Sequence, residues 1–101
     1  MSNDDSSGGA FAPPPFDPNA ALVTLKRALR DLKLAERGNA YELRSKRVVE
    51  LSLDGGRITA RLARRPMATP EWDRVVVASA AEQRKLIDEV KKRLARWEND
   101  E

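Results

Sequence analysis

Val49-Glu50-Leu51-Ser52-Leu53-Asp54-Gly55-Gly56-Arg57-Ile58-Thr59-Ala60-Arg61-Leu62 decides the fold of this chain. Two alternating runs flank Asp54-Gly55-Gly56-Arg57, a strong hairpin signal because glycine adopts the backbone angles of a tight reversal at little cost. With Gly55-Gly56 as the two-residue loop, Leu53 faces Ile58, Leu51 faces Ala60 and Val49 faces Leu62, all on one side. On the other side Asp54 meets Arg57, Ser52 meets Thr59 and Glu50 meets Arg61. These polar pairs are complementary, two of them by charge, as cross-strand neighbours prefer. A slip of one residue would turn the apolar set outward.

Upstream, Tyr41 and Leu43 share the parity of Val49, with Ser45 and Arg47 between them. The expectation there is a bulge or bend rather than one clean strand from Tyr41 to Leu53. Downstream, Met67-Ala68-Thr69-Pro70-Glu71 reads as a loop punctuated by proline. Trp72-Asp73-Arg74-Val75-Val76-Val77 reads as a third strand, rich in β-branched residues.

A helix is expected on each side of the strands. Asp17 can cap the first, Pro18 suits its first turn, and Leu22, Leu25, Leu29 and Leu32 recur at helical spacing. With Gly38 as a left-handed stop, this helix is expected over 18–37. The second opens on Ser79-Ala80-Ala81-Glu82, a capping box, and carries Leu86, Ile87, Val90, Leu94 and Trp97 on one face. Its last residues, 99–101, are expected to fray. The expected fold is therefore α+β, in the order αβββα. Both helices would cover one face of a three-stranded antiparallel sheet, in a single domain over 17–98.

Residues 1–16 read as an acidic, proline-rich tail without apolar periodicity, which cannot bury enough surface to fold. Within it, Phe11-Ala12-Pro13-Pro14-Pro15-Phe16 is a stiff extended segment suited to a linker or to docking in a groove. The tail lacks the basic start and apolar core of a signal peptide. No apolar run approaches the ~20 residues that span a bilayer. With no cysteine in the chain, cytoplasmic residence is the expectation, without membrane contact.

Helix–strand–strand–strand–helix in this length resembles the element order of the double-stranded-RNA-binding domain, over residues 18–97. The likeness is one of shape. That family has a lysine-rich start to its second helix, whereas Ser79-Ala80-Ala81-Glu82-Gln83-Arg84-Lys85 holds two basic residues opposed by Glu82. Its first hairpin loop probes a groove, whereas here the loop is the tight Asp54-Gly55-Gly56-Arg57 turn.

The 101 residues contain no histidine and no cysteine. That excludes a histidine-activated nucleophile, a thiolate and a zinc site of the usual ligands. Neither glycine pair, Gly8-Gly9 or Gly55-Gly56, makes a phosphate-binding loop. No catalytic residue, cofactor or metal is expected, and a non-catalytic binding module is.

The formal charge is +3, unevenly spread. Residues 1–18 carry −3, residues 19–38 and 39–79 carry +3 each, and residues 80–101 are balanced. A basic body suits RNA, DNA or an acidic protein, and it also serves solubility. Two basic features stand out. Lys26, Arg30, Lys33 and Arg37 form one stripe if the first helix runs to residue 37. Arg57, Arg61 and Arg65 lie on the outer sheet face, with Arg44, Lys46, Trp72 and Arg74 expected beside them. Lys26, Arg30, Lys33, Arg37, Arg57, Arg61, Arg65 and Arg74 are the candidates for nucleic-acid binding. The alternative is a protein-interaction or homo-oligomerisation module. It would use the tail, or a homodimer seam of Val48, Ala63, Trp72 and Val76 on the open face.

Overall fold

The computed structural model of the protein describes residues 16–99. The tail and groove-docking readings for residues 1–15, and the fraying expected at 100–101, lie outside the described residues, whereas Asn99, also expected to fray, is helical. The fold is α+β, with two helices and one five-stranded antiparallel sheet. The elements run α1 (Pro18–Asp31), β1 (Ala35–Arg37), β2 (Ala40–Leu43), β3 (Lys46–Asp54), β4 (Arg57–Ala63), β5 (Trp72–Val77) and α2 (Ala80–Asn99). The strands lie side by side in chain order. The sheet thus has two strands more than expected, and the resemblance to the three-stranded order does not hold.

Both extra strands come from residues whose periodicity had another reading. Helix α1 ends six residues early. Asp17 caps its start, accepting from the backbone N–H of Asn19 at 3.0 Å and of Ala20 at 3.2 Å. At its end the Leu34 N–H reaches the Leu29 carbonyl and the Lys33 N–H reaches the Arg30 carbonyl at 2.9 Å. With Lys33 left-handed at φ 72°, this is a complete Schellman stop. A left-handed lysine costs roughly 1 kcal/mol. Burial of Leu34 and pairing of the next three residues offset that cost. Gly38, at φ 63°, turns β1 into β2 instead of ending the helix.

Between Tyr41 and Leu53 the chain makes both a full reversal and a bulge. Arg44 and Ser45, with φ of 53° and 70°, form the tip between β2 and β3. The register then shifts, Tyr41 opposing Val49 and Glu42 opposing Arg47. Val48 is the extra residue, and both Val48 and Val49 are buried. The β3–β4 hairpin has the expected register, from Val49–Leu62 to Asp54–Arg57, and β5 adds Ile58–Val77 through Ala63–Trp72.

The core lies on the sheet face of Tyr41, Val49, Leu51, Ile58, Ala60, Leu62 and Val77. Ala21, Leu25 and Leu29 of α1, Leu86, Val90 and Trp97 of α2, and Leu34, Val48 and Ala63 complete it. Phe16, expected in the tail, is partly buried against this core. The expected capping box starts α2: Ser79 Oγ accepts from the Glu82 N–H at 3.1 Å. Its return bond comes from Ala78, whose N–H donates to Glu82 at 2.7 Å.

Candidate nucleic-acid interface

The sheet register assembles the site. Residues opposed in an antiparallel ladder share a face, so the pairs Arg37–Ala40, Ala40–Glu50, Glu50–Arg61 and Arg61–Arg74 form one row across all five strands of the outer face. Arg57 is opposed by Asp54 on one side of this row. On the other side, Glu42 opposes Arg47 and Ala63 opposes Trp72. The outer face therefore carries Arg37, Arg47, Arg57, Arg61 and Arg74 against Glu42, Glu50 and Asp54.

Ion pairs hold part of this field. Arg37 meets Glu42 at 3.6 Å, and Glu50 meets both Arg47 and Arg61 at 3.4 Å. The Arg61 guanidinium carbon lies 5.0 Å from the centre of the Trp72 ring, a cation–π stack. Arg57, Arg65 and Arg74 have no ion pair among the described residues. Arg61 and Arg74 are like charges placed directly opposite each other, which destabilises a sheet. Next to Arg61 on the same face, Thr59 is buried and its hydroxyl has no hydrogen-bond partner.

The expected helix stripe does not form. Lys26 and Arg30 lie on α1, Lys33 sits at the left-handed stop, and Arg37 belongs to β1. Arg30 is engaged with Glu36 at 3.2 Å. The loss of the stripe enlarges the second feature, because Arg37 joins the arginine row. Arg65 leaves the sheet for the loop after β4, where it lines a shallow cleft with Arg64, Met67, Thr69 and Glu71. Lys46 opposes Leu43 and so falls on the other face, while Arg44 lies in the turn. Arg47 was missed because simple alternation puts residues 47 and 50 on opposite faces. The bulge at Val48 brings them together, as their ion pair records. The same shift removes Val48 from the expected dimer seam, and Ala63 is fully buried. That leaves only the half-buried Trp72 and Val76.

Two further polar clusters tie the sheet to the helices. The buried Tyr41 hydroxyl donates to Glu36 at 2.7 Å, and Arg30 of α1 reaches the same carboxylate. The hydrogen bond from Tyr41 and the Arg30 cation hold the Glu36 carboxyl below its ordinary value of 4.5. Burial, together with that same hydrogen bond, pushes the Tyr41 phenol upward. At the opposite edge Arg64 and Arg93 hold the Asp73 carboxyl below 3.8 through hydrogen bonds at 2.9 Å and 3.0 Å.

The depressed carboxylates contribute stability that is complete above their ordinary values and lost as the pH falls below them. The raised phenol works at the other end, its contribution being lost as the pH rises past 10. Urea midpoints are therefore expected to fall below about pH 4.5 and above about pH 10. Glu36→Gln should flatten the acid arm and Tyr41→Phe the alkaline arm. Unchanged slopes in both variants would show that the cluster does not couple to folding.

Among the described residues, no group of three or more His, Cys, Asp or Glu side chains is arranged to hold a metal ion. Among the described residues, no helix is long and apolar enough to cross a membrane. By class this is a small α+β domain with an antiparallel meander sheet whose outer face carries five arginines against three carboxylates. Comparison with protein-family models, curated proteins and solved structures finds no match to the chain.

Proposed function

We propose that this protein is a non-catalytic nucleic-acid-binding module that uses the outer face of its sheet. The observation that carries the reading is the directly opposed Arg61–Arg74 pair within the arginine row. A like-charge pair costs stability, and the unpartnered Thr59 hydroxyl beside it costs more. Folded chains keep such violations mainly where function uses them. A polyanion laid along the row offsets the repulsion, and the arginine forks match phosphate oxygens. Lys26 and Arg30 lie on α1, and the reading assigns them no contact.

Binding of this kind releases counterions, so affinity falls steeply with salt. The test is an anisotropy titration of the full chain against labelled RNA and DNA at low and moderate salt. A loss of affinity of roughly tenfold or more over a fourfold rise in salt is expected for two to three phosphate contacts. Absence of binding at low salt, or binding indifferent to salt, overturns the proposal. The homodimer reading rests on Trp72 and Val76 alone. That apolar area is far below the ~800 Å² per partner of a stable interface, and light scattering of the full chain checks it.

A further inference from the structure

We infer that the preferred ligand of this face is an unpaired nucleic-acid strand, with one base stacked on the Arg61–Trp72 pair and an adjoining phosphate on Arg74. The inference rests on the proposal that the sheet face binds nucleic acid, and it names the kind of strand.

Three observations carry it. The Arg61 guanidinium lies over the Trp72 ring at 5.0 Å, and Glu50 holds it at 3.4 Å. The Arg61 side chain is nevertheless 48% exposed, so the group sits over the ring while it remains open to solvent. A guanidinium plane held this way is a stacking platform, and stacking on arginine or aromatic planes is how unpaired bases are taken up. The second observation is Arg74, an exposed cation directly across from Arg61 and without an ion pair among the described residues. It stands one strand spacing away, about 4.8 Å, within reach of the phosphate next to a stacked base.

The third is shape. Five strands at about 4.8 Å make a face roughly 19 Å across, wider than the ~12 Å major groove of a B-form duplex. The face cannot enter such a groove, and the bases of a duplex hide the surfaces that the Arg61 plane would stack on.

The test compares three labelled ligands of equal length against the full chain: a mixed-sequence single strand, its abasic counterpart and its duplex. The single strand is expected to bind at least tenfold more tightly than either of the others. It alone should quench tryptophan fluorescence, because Trp97 is buried and Trp72 is the ring near the site. Arg61→Lys keeps the charge and removes the plane. It should weaken single-strand binding about tenfold and the abasic strand by much less, since the charge that meets phosphate is kept. Trp72→Leu should have the same pattern, with circular dichroism reporting the fold. Equal affinity for single strand and abasic strand, tighter binding of the duplex, or indifference to Arg61→Lys overturns the inference while leaving the proposed function standing. Absence of binding to all three overturns both.

Discussion

Arg74→Glu is expected to yield a domain that is slightly more stable than the wild type and binds single-stranded nucleic acid roughly 10–100-fold more weakly. The two effects have opposite signs because Arg74 stands directly opposite Arg61. A glutamate there converts a repulsive cross-strand pair into an attractive one, a gain of a few tenths of a kcal/mol at an exposed position. The same change removes one phosphate partner and puts a negative charge beside the remaining ones. The slope of log affinity against log salt should become shallower by about one to two. Thermal melts and salt-dependent titrations of the same preparation read both effects. Lys26→Glu makes an equal charge change on α1, away from the sheet face, and should leave the affinity within about twofold. If Lys26→Glu weakens binding as much as Arg74→Glu does, the helix is the contact surface and the sheet-face assignment fails.

Arg93→Met is expected to produce the largest loss of stability of any single charge removal, about 2–3 kcal/mol. Only 14% of this side chain is exposed, and its fork serves four groups. It pairs with Asp73 at 3.0 Å and Glu89 at 2.8 Å, and it donates to the Ala63 carbonyl at 3.1 Å and the Leu62 carbonyl at 3.5 Å. Methionine keeps the apolar stem but leaves two carbonyls and two carboxylates short of a partner in a partly buried place. The group binds the last turns of α2 to the end of β4 and the start of β5. The Trp97 indole reinforces the joint by donating to the Arg64 carbonyl at 3.4 Å. In a domain this small the loss corresponds to a fall in Tm of roughly 10–20 °C. Arg93→Lys, which keeps the charge without the planar fork, should fall between wild type and Arg93→Met. An Arg93→Met domain melting within about two degrees of the wild type would show that the cluster is decorative.

The central hairpin was legible in the sequence residue by residue. Turn chemistry, alternation and cross-strand charge all point to one register, and the structure has that register. The start of α1, the start of α2 and the span of β5 were legible for the same kind of reason. Each rests on a local rule, a cap or a β-branched run, that needs no distant partner.

The segment from Lys33 to Arg47 was not legible in that way. Its outcome depends on partners that sequence spacing does not reveal. The apolar stripe of α1 does end at Leu32, a faint sign that the helix stops there. Gly38 nevertheless serves equally well as a helix stop and as a hairpin turn. Arg44 and Ser45 are poor residues for a reversal, since non-glycine residues adopt positive φ at a cost, so no turn signal marks the place. The bulge at Val48 inverts the parity of everything on its N-terminal side within β3.

The candidate site divides along the same line. Arg57, Arg61 and Arg74 followed from strand alternation. Arg37 and Arg47 came to the same face only through β1 and the bulge, and Lys26, Arg30 and Lys33 stayed away from it. By itself, then, the sequence determined the α+β class, the central hairpin and its register, the helix starts, and a chemistry without histidine or cysteine. The tertiary structure alone decided where α1 stops, that the sheet has five strands, and which arginines share one row. Caps and alternation are local free energies of neighbouring residues. A left-handed lysine, a strained turn and a bulge persist only because the buried surface of the whole fold outweighs their local cost.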